Sequence, residues 1–132
     1  QCKYNQDKRA FRLLDIFGEQ LTGQINVHYI SDTNHITAWH FHKHHDDYFM
    51  CLKGSFLIGV VDKENNVSFT VVSDKDLTHG IWARAGEYHG FRCLEPNSIL
   101  IYYMTEKYDK NDIFKVPTNS FCNISEWYCN DG

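Results

Sequence analysis

Short apolar stretches, each closed by a turn signal, follow one another along most of this chain. That rhythm narrows the fold more than any other feature. Ile25-Asn26-Val27-His28-Tyr29-Ile30 alternates apolar and polar residues and runs into the turn cluster Ser31-Asp32-Thr33-Asn34. Residues 36–42, 47–52, 55–61, 67–72, 79–84, 88–93 and 98–105 repeat the theme. Lys53-Gly54, residues 62–66 and Glu95-Pro96-Asn97 read as the turns between them. Residues 55–61 are apolar on both faces, the pattern of a strand held between two layers. At least seven such strands imply an all-β sandwich or barrel. Helix signals are weak, and residues 9–17 read as a first strand. The tail after Asp109 has no clear period; within it, residues 119–127 are expected to pack Phe121, Ile124 and Trp127 against the barrel.

The chain has 132 residues and no linker, repeat or low-complexity tract, so one domain is expected over 1–132. Thirteen basic against 17 acidic residues leave a charge of -4, which argues against a nucleic-acid partner. No run of 18 apolar residues suggests a membrane span. No charged segment followed by an apolar one opens the sequence, so no signal peptide is expected. The 5 cysteines (Cys2, Cys51, Cys93, Cys122 and Cys129) are odd in number and lack CxxC spacing, so free thiols in the cytoplasm are the expectation. Cys51 and Cys93 fall in strands and read as buried and inert.

Histidines are concentrated in Trp39-His40-Phe41-His42-Lys43-His44-His45-Asp46-Asp47-Tyr48. Alternate residues of a strand share a face. His40 and His42 therefore point one way, into the mouth of a barrel, and Trp39 and Phe41 the other. His44 and His45 lie in a polar stretch and read as solvated loop residues. A second segment, Ala83-Arg84-Ala85-Gly86-Glu87-Tyr88-His89-Gly90-Phe91, turns at Gly86 and begins a strand near His89.

Together the two segments resemble the paired motifs of the cupins. His40, His42, Asp47 and Gly54 match the first, with Asp where Glu is usual, and Gly86 and His89 match the second, with Arg84 where Pro is usual. In metal-binding cupins these positions are ligands. The resemblance thus implies an alternative in which His40, His42, Asp47 and His89 hold a divalent transition metal.

The wider wording is similar to the dTDP-4-dehydrorhamnose 3,5-epimerase family, the RmlC-like cupins, and nearest to its shorter members. The matching stretches are Asp7-Lys8-Arg9-Ala10-Phe11, Thr37-Ala38-Trp39-His40-Phe41-His42-Lys43, Asp47-Tyr48-Phe49, Gly86 to Phe91 and Ile101-Tyr102-Tyr103-Met104-Thr105. The resemblance implies a single RmlC-like jelly-roll barrel. It also implies an epimerase or isomerase that removes a proton next to the ketone of a nucleotide-linked 4-keto-6-deoxysugar, in deoxysugar biosynthesis and without a cofactor. His40 falls at the general base, Tyr102 at the tyrosine that returns a proton on the opposite face, Arg9 at the arginine that meets the diphosphate, and His89 near the keto oxygen. Lys43 and Asp47 are counted with them at the substrate. Three family features differ: Thr37 or Ala38 stands in place of an arginine, Asp47 in place of a lysine, and the aspartate that orients the base is missing, with Asp47 the candidate to replace it. The related 3,4-ketoisomerases are similar at the HxH pair, which makes His42 a second candidate for proton transfer. The resemblance further implies a homodimer joined by the N-terminal stretch 1–24, with the tail 109–132 packed on the barrel. A non-catalytic sugar-binding cupin is the third reading.

For other conspicuous residues the plain reading is structural. Trp39, Trp82 and Trp127 are expected in the core. Arg84 and Arg92 are expected in surface salt bridges. Tyr103 faces away from Tyr102, and residues 63–66 form a solvated turn.

Overall fold

The computed structural model describes residues 3–14 and 22–129. Its elements in chain order are β1 (Lys3–Gln6), β2 (Phe11–Leu14), β3 (Gln24–Ile30), β4 (Ile36–Phe41), β5 (Asp47–Lys53), β6 (Ser55–Val61), β7 (Val67–Ser73), β8 (Ile81–Ala83), β9 (Tyr88–Cys93), β10 (Ser98–Met104), β11 (Phe114–Lys115) and the helix α1 (Glu126–Cys129). Every strand expected between residues 25 and 105 forms. The stretch 79–84 shrinks to Ile81–Ala83 because Asp76 holds the preceding turn. Its carboxylate accepts from the Thr78 amide at 3.1 Å, and its carbonyl accepts from the His79 amide at 3.2 Å. Of the stretch 9–17, Phe11–Leu14 is strand and 15–17 lie outside the described residues.

The barrel strands form two antiparallel sheets, in the orders β3-β10-β5-β8 and β11-β4-β9-β6-β7, while among the described residues β1 and β2 pair with each other as a separate hairpin. Between the sheets lie Phe49, Cys51, Phe56, Ile58, Val72, Phe91, Cys93 and Leu100. A second apolar cluster covers the outer face of the five-stranded sheet, where Trp39, Leu57 and Val61 pack with Trp127 from α1. This explains why β6 is apolar on both faces. It also explains Gly59, since a Cβ there would stand 2.8 Å from the rings of both Trp39 and Trp127.

The tail runs along β4 and is bonded to it. Trp39 exchanges backbone hydrogen bonds with Val116 at 3.3 and 3.1 Å, and its indole donates to the Thr118 carbonyl at 2.9 Å. β4 is therefore held between β9 and the tail, which fixes the strand that carries His40. Phe121 packs edge-on against Trp39, but Ile124 stays 48% exposed and takes no part. The sequence missed β11 and α1, because two-residue and four-residue elements leave no periodic signal.

Two other expectations need correcting. Arg92 is buried and not on the surface. Its Nε donates to the Trp127 carbonyl at 2.9 Å, another nitrogen to the Thr33 carbonyl at 3.1 Å, and the guanidinium lies over the Tyr128 ring. The Trp127 carbonyl lies near the end of the tail and the Thr33 carbonyl in the turn between β3 and β4, and a cation with several donors can tie the two together. Trp82 is only half buried, since β8 is an edge strand, and its ring lies tilted against Tyr48 with the Arg84 guanidinium over it. No helix among the described residues is long and apolar enough to cross a membrane.

Candidate active site

A cavity of about 540 Å³ opens between the two sheets, a size usual for a small-molecule site. His40, His42, Asp47 and Tyr102 line it, with Tyr108 and Lys115 also on the lining. The alternation of β4 sends Trp39 outward into the tail and His40 inward, as expected. The His40 and His89 rings approach to 4.4 Å, for the two residues are cross-strand partners.

Asp47 is the hub. Its Oδ2 lies 3.1 Å from His89 Nε2 and 3.5 Å from His42 Nε2, and its Oδ1 lies 2.9 Å from His45 Nδ1. His45 is thus a correction. It is buried, stacked on His42 with ring centres 4.1 Å apart, whereas His44 is exposed as expected. The loop folds this way because Asp112 reaches in from the tail. Its carboxylate accepts from the Lys43 amide at 2.7 Å and the His44 amide at 3.0 Å, which turns His45 inward. Sequence reasoning missed Asp112; an acid in an aperiodic tail gives no sign of which loop it caps. The second motif docks on the first: the Gly86 amide donates to the His42 carbonyl at 2.8 Å, from a backbone with φ of 86° that favours glycine.

The ring tautomers follow from the second nitrogens. His42 Nδ1–H donates to the Asp112 carbonyl at 2.7 Å and His89 Nδ1–H to the Glu87 carbonyl at 3.3 Å. With Nδ1–H so engaged, each Nε2 faces the Asp47 carboxylate, which only a ring carrying a second proton can donate to. His89 Nε2, His45 Nδ1 and Asp47 Oδ1 are all buried and have no aligned hydrogen-bond partner. Lone pairs facing a carboxylate repel, so the centre is suited to positive charge, as ring protons or as a cation.

Burial, reinforced by His89 and His42, pushes His40 down to about 3, so its ring is neutral across the working range. Burial likewise lowers His42, against the pull of the Asp112 carbonyl and Asp47. Burial would raise Asp47, but its contacts with His45 and His89 outweigh that and hold it well below the usual carboxylate range. Burial opposes the proton on His45 too, and there the Asp47 carboxylate wins, raising it. On the far side, burial raises the Tyr102 phenol while a hydrogen bond from Asn26 pulls it down.

Not every expected residue reaches the cavity. His89 is 2% exposed and stands behind His40, off the lining. The Lys43 ammonium rests 4.6 Å above the Phe114 ring, outside the lining. Arg9 sits on the β1–β2 turn with a side chain 78% exposed, paired with Asp7 at 3.4 Å and remote from this cavity's lining. His28 was missed: it lines the cavity and meets Tyr102 edge-on at 5.1 Å. Its signal lay in β3, where the polar residues face inward and the apolar Ile25, Val27 and Tyr29 are the exposed ones.

No family model matches the chain and no curated protein matches it. Solved structures do. The dTDP-4-dehydrorhamnose 3,5-epimerase from Elizabethkingia anophelis superposes with a TM-score of 0.78 at 19% identity, over 94% of this chain and 77% of the other. The dTDP-4-dehydrorhamnose 3,5-epimerase from Bacillus anthracis, with TDP and pyrophosphate bound, gives 0.75 at 20% identity, over 90% and 77%. A sugar 3,4-ketoisomerase from Thermoanaerobacterium thermosaccharolyticum in complex with TDP gives 0.72 at 16% identity, over 87% and 84%. The chain therefore has the RmlC-like jelly-roll fold that these dTDP-sugar enzymes share.

Proposed function

We propose that the protein is an epimerase or isomerase acting on a nucleotide-linked 4-keto-6-deoxysugar, by proton transfer next to the ketone and without a cofactor. One observation carries this reading: His40 and Tyr102 face a single cavity from opposite sheets. His40, kept neutral by burial, takes the proton on the carbon beside the ketone, and the C–H electron pair passes into an enolate. Asp47 stabilises the imidazolium that forms. Tyr102 returns a proton to the same carbon from the other side. Its phenolate is then neutralised from solvent, to which His40 gives up its proton. His42 also lines the cavity and serves the ketoisomerase variant. Solved neighbours that bind TDP or TDP-4-keto-6-deoxyglucose support the substrate class.

The same reading includes a homodimer in the cytoplasm. The β1–β2 hairpin exposes Tyr4, Phe11 and Leu14, and the outer face of β3 exposes Ile25, Val27 and Tyr29. A second copy covering these surfaces would bring Arg9 toward a neighbouring cavity, where its planar fork suits a diphosphate.

The test is proton NMR of dTDP-4-keto-6-deoxyglucose in D2O with chelator-treated protein. Loss of the sugar C3 or C5 proton signal is expected. Full retention of both signals, with tight substrate binding, would leave a sugar-binding protein in place of the enzyme.

A second reading rests on the lone pairs converging on Asp47. His40, His42 and His89 each offer a ring nitrogen within 4.8 Å of the others, and Asp47 groups with His42 and His45. A divalent transition metal held by the three rings with Asp47 is this second reading. The Nδ1–H bonds of His42 and His89 to backbone carbonyls are the usual outer support of such ligands. A metal there would act as a Lewis acid on the keto oxygen. Elemental analysis separates the two readings. About one equivalent of metal, lost in Asp47→Ala together with activity, supports the second. Exchange that is unchanged in metal-free protein supports the first.

A further inference from the structure

The chemistry proposed above leaves the keto oxygen without a donor. Moving the C–H electron pair into an enolate puts negative charge on that oxygen, and a fixed donor or cation must meet it there. His89, expected near this oxygen, stands behind His40 and off the lining. The carboxylates of Asp32 and Asp47 are on the lining and repel a further negative charge.

One cation answers them. Among the described residues, Lys115 is the only lysine or arginine on the lining. It belongs to β11 and is the cross-strand partner of His40 on β4. Directly opposed residues of an antiparallel pair share a face, with Cβ atoms about 5 Å apart. The base and the lysine stem therefore leave the sheet side by side, into one cavity.

The backbone at this position is tied to the strand of the base on both flanks. Asp112, three residues earlier, accepts from the Lys43 and His44 amides just beyond β4. Val116, the next residue, exchanges backbone hydrogen bonds with Trp39. The side chain is left free. Arg9, Arg12 and Arg84 are paired with carboxylates and Lys43 rests over Phe114, whereas Lys115 makes no ion pair among the described residues. An ammonium on a flexible four-carbon stem can follow an oxygen as its charge develops.

We propose that Lys115 is a catalytic residue whose ammonium donates to the keto oxygen and holds the enolate formed when His40 takes the neighbouring proton. The proposal rests on the reading of His40 as base, and it names the group that meets the charge this base creates. No bond to Lys115 forms or breaks. Its protons stay on nitrogen, while the electron pair moves to the oxygen and returns to carbon when Tyr102 protonates that carbon.

The experiment is the D2O exchange assay with dTDP-4-keto-6-deoxyglucose on chelator-treated wild type, Lys115→Met and Lys115→Arg, with dTDP affinity measured by calorimetry on the same proteins. Lys115→Met keeps the stem and removes the charge. Lys115 is exposed, so the Tm of this variant should stay within about 3 °C of wild type. Its kcat for exchange should fall about a hundredfold, the cost of one donor lost from a developing oxyanion, with KM nearly unchanged. Lys115→Arg keeps the charge and should recover most of that loss. Methylammonium added to Lys115→Ala should restore part of the rate and leave wild type unchanged, a response that a merely structural role would not give. The probe dTDP carries the diphosphate without the sugar, and it should bind wild type and Lys115→Met alike. Exchange in wild type with unchanged kcat in Lys115→Met would overturn the proposal and leave the epimerase reading standing. Lost dTDP affinity at constant kcat would put the ammonium on the diphosphate and overturn it as well. No exchange in wild type would overturn the epimerase reading, and the proposal with it.

Discussion

The two sheets of this barrel are built to different standards of burial. The five-stranded sheet is covered on both faces, by the core on one side and by Trp127, Phe121 and the tail on the other. It carries His40 and His89. The four-stranded sheet is covered on its inner face, while Ile25, Val27 and Tyr29 stay exposed on the outer face. It carries Tyr102, Asn26 and His28. A base that must stay neutral needs a strand that cannot move toward water, and the tail supplies that for β4. Tyr102 stands on the more open sheet, with the His28 ring edge-on to it at 5.1 Å. Asp47, on β5, joins the two by reaching across to the histidines.

The contrast can be broken by mutation. The largest effect is expected for Trp127→Ala, which removes the filler of the outer layer and should cost about 3–5 kcal/mol. Chemical denaturation measures it. Asp47→Ala should cost about 3 kcal/mol, because it removes the buried carboxylate that holds the proton on His45. In thermal melts that is a fall in Tm of about 10 °C.

The pH dependence of stability comes next. His40 is lowered to about 3, so the unfolded chain binds a proton there below about 6.5 that the folded chain refuses. Stability from this ring is therefore full above that pH and is lost as pH falls toward 3. His42, also lowered, acts in the same direction. His45 is raised and acts in the opposite one: its contribution is full at low pH and is lost as pH rises past its folded value. In chelator-treated protein, His40→Asn should flatten the acid slope by up to about 1.4 kcal/mol per pH unit, and His45→Asn should remove the loss of stability that sets in as pH rises above about 6.5. Denaturation at a series of pH values reads both.

The smallest effect is expected on the open sheet. Tyr29→Ser should change the stability of a single chain by less than about 0.5 kcal/mol, in keeping with its exposure. The same change should weaken self-association, which sedimentation at several concentrations would detect.

Much of the fold was legible because period-two alternation and turn residues report local structure directly. The strands from 25 to 105 follow from them, and so does the inward aim of His40 and His42. What escaped depended on partners distant in sequence. His45 looked like a loop residue until Asp112, 67 positions later, is seen to turn it inward. Arg92 looked exposed until the Trp127 carbonyl near the end of the tail and the Thr33 carbonyl in the turn before β4 are seen to accept from it. β3 is the instructive case. Its alternation was plain, but alternation does not say which face is buried. The pattern here is inverted, with Asn26 and His28 inside and the apolar residues outside, because the inside is a cavity and not a dry core. The reaction was suggested by resemblance at the histidine segment and Tyr102, while the charge network on Asp47 needed the fold.

The central claim is that base and acid come from different sheets, and solvent exchange tests it most directly. In D2O with dTDP-4-keto-6-deoxyglucose, His40→Asn should abolish both loss of the sugar proton signal and inversion at carbon. Tyr102→Phe should still exchange that proton for deuterium but invert the carbon at least about a hundredfold more slowly. Exchange that survives in His40→Asn, or that vanishes equally in Tyr102→Phe, would contradict the division of labour between the two sheets.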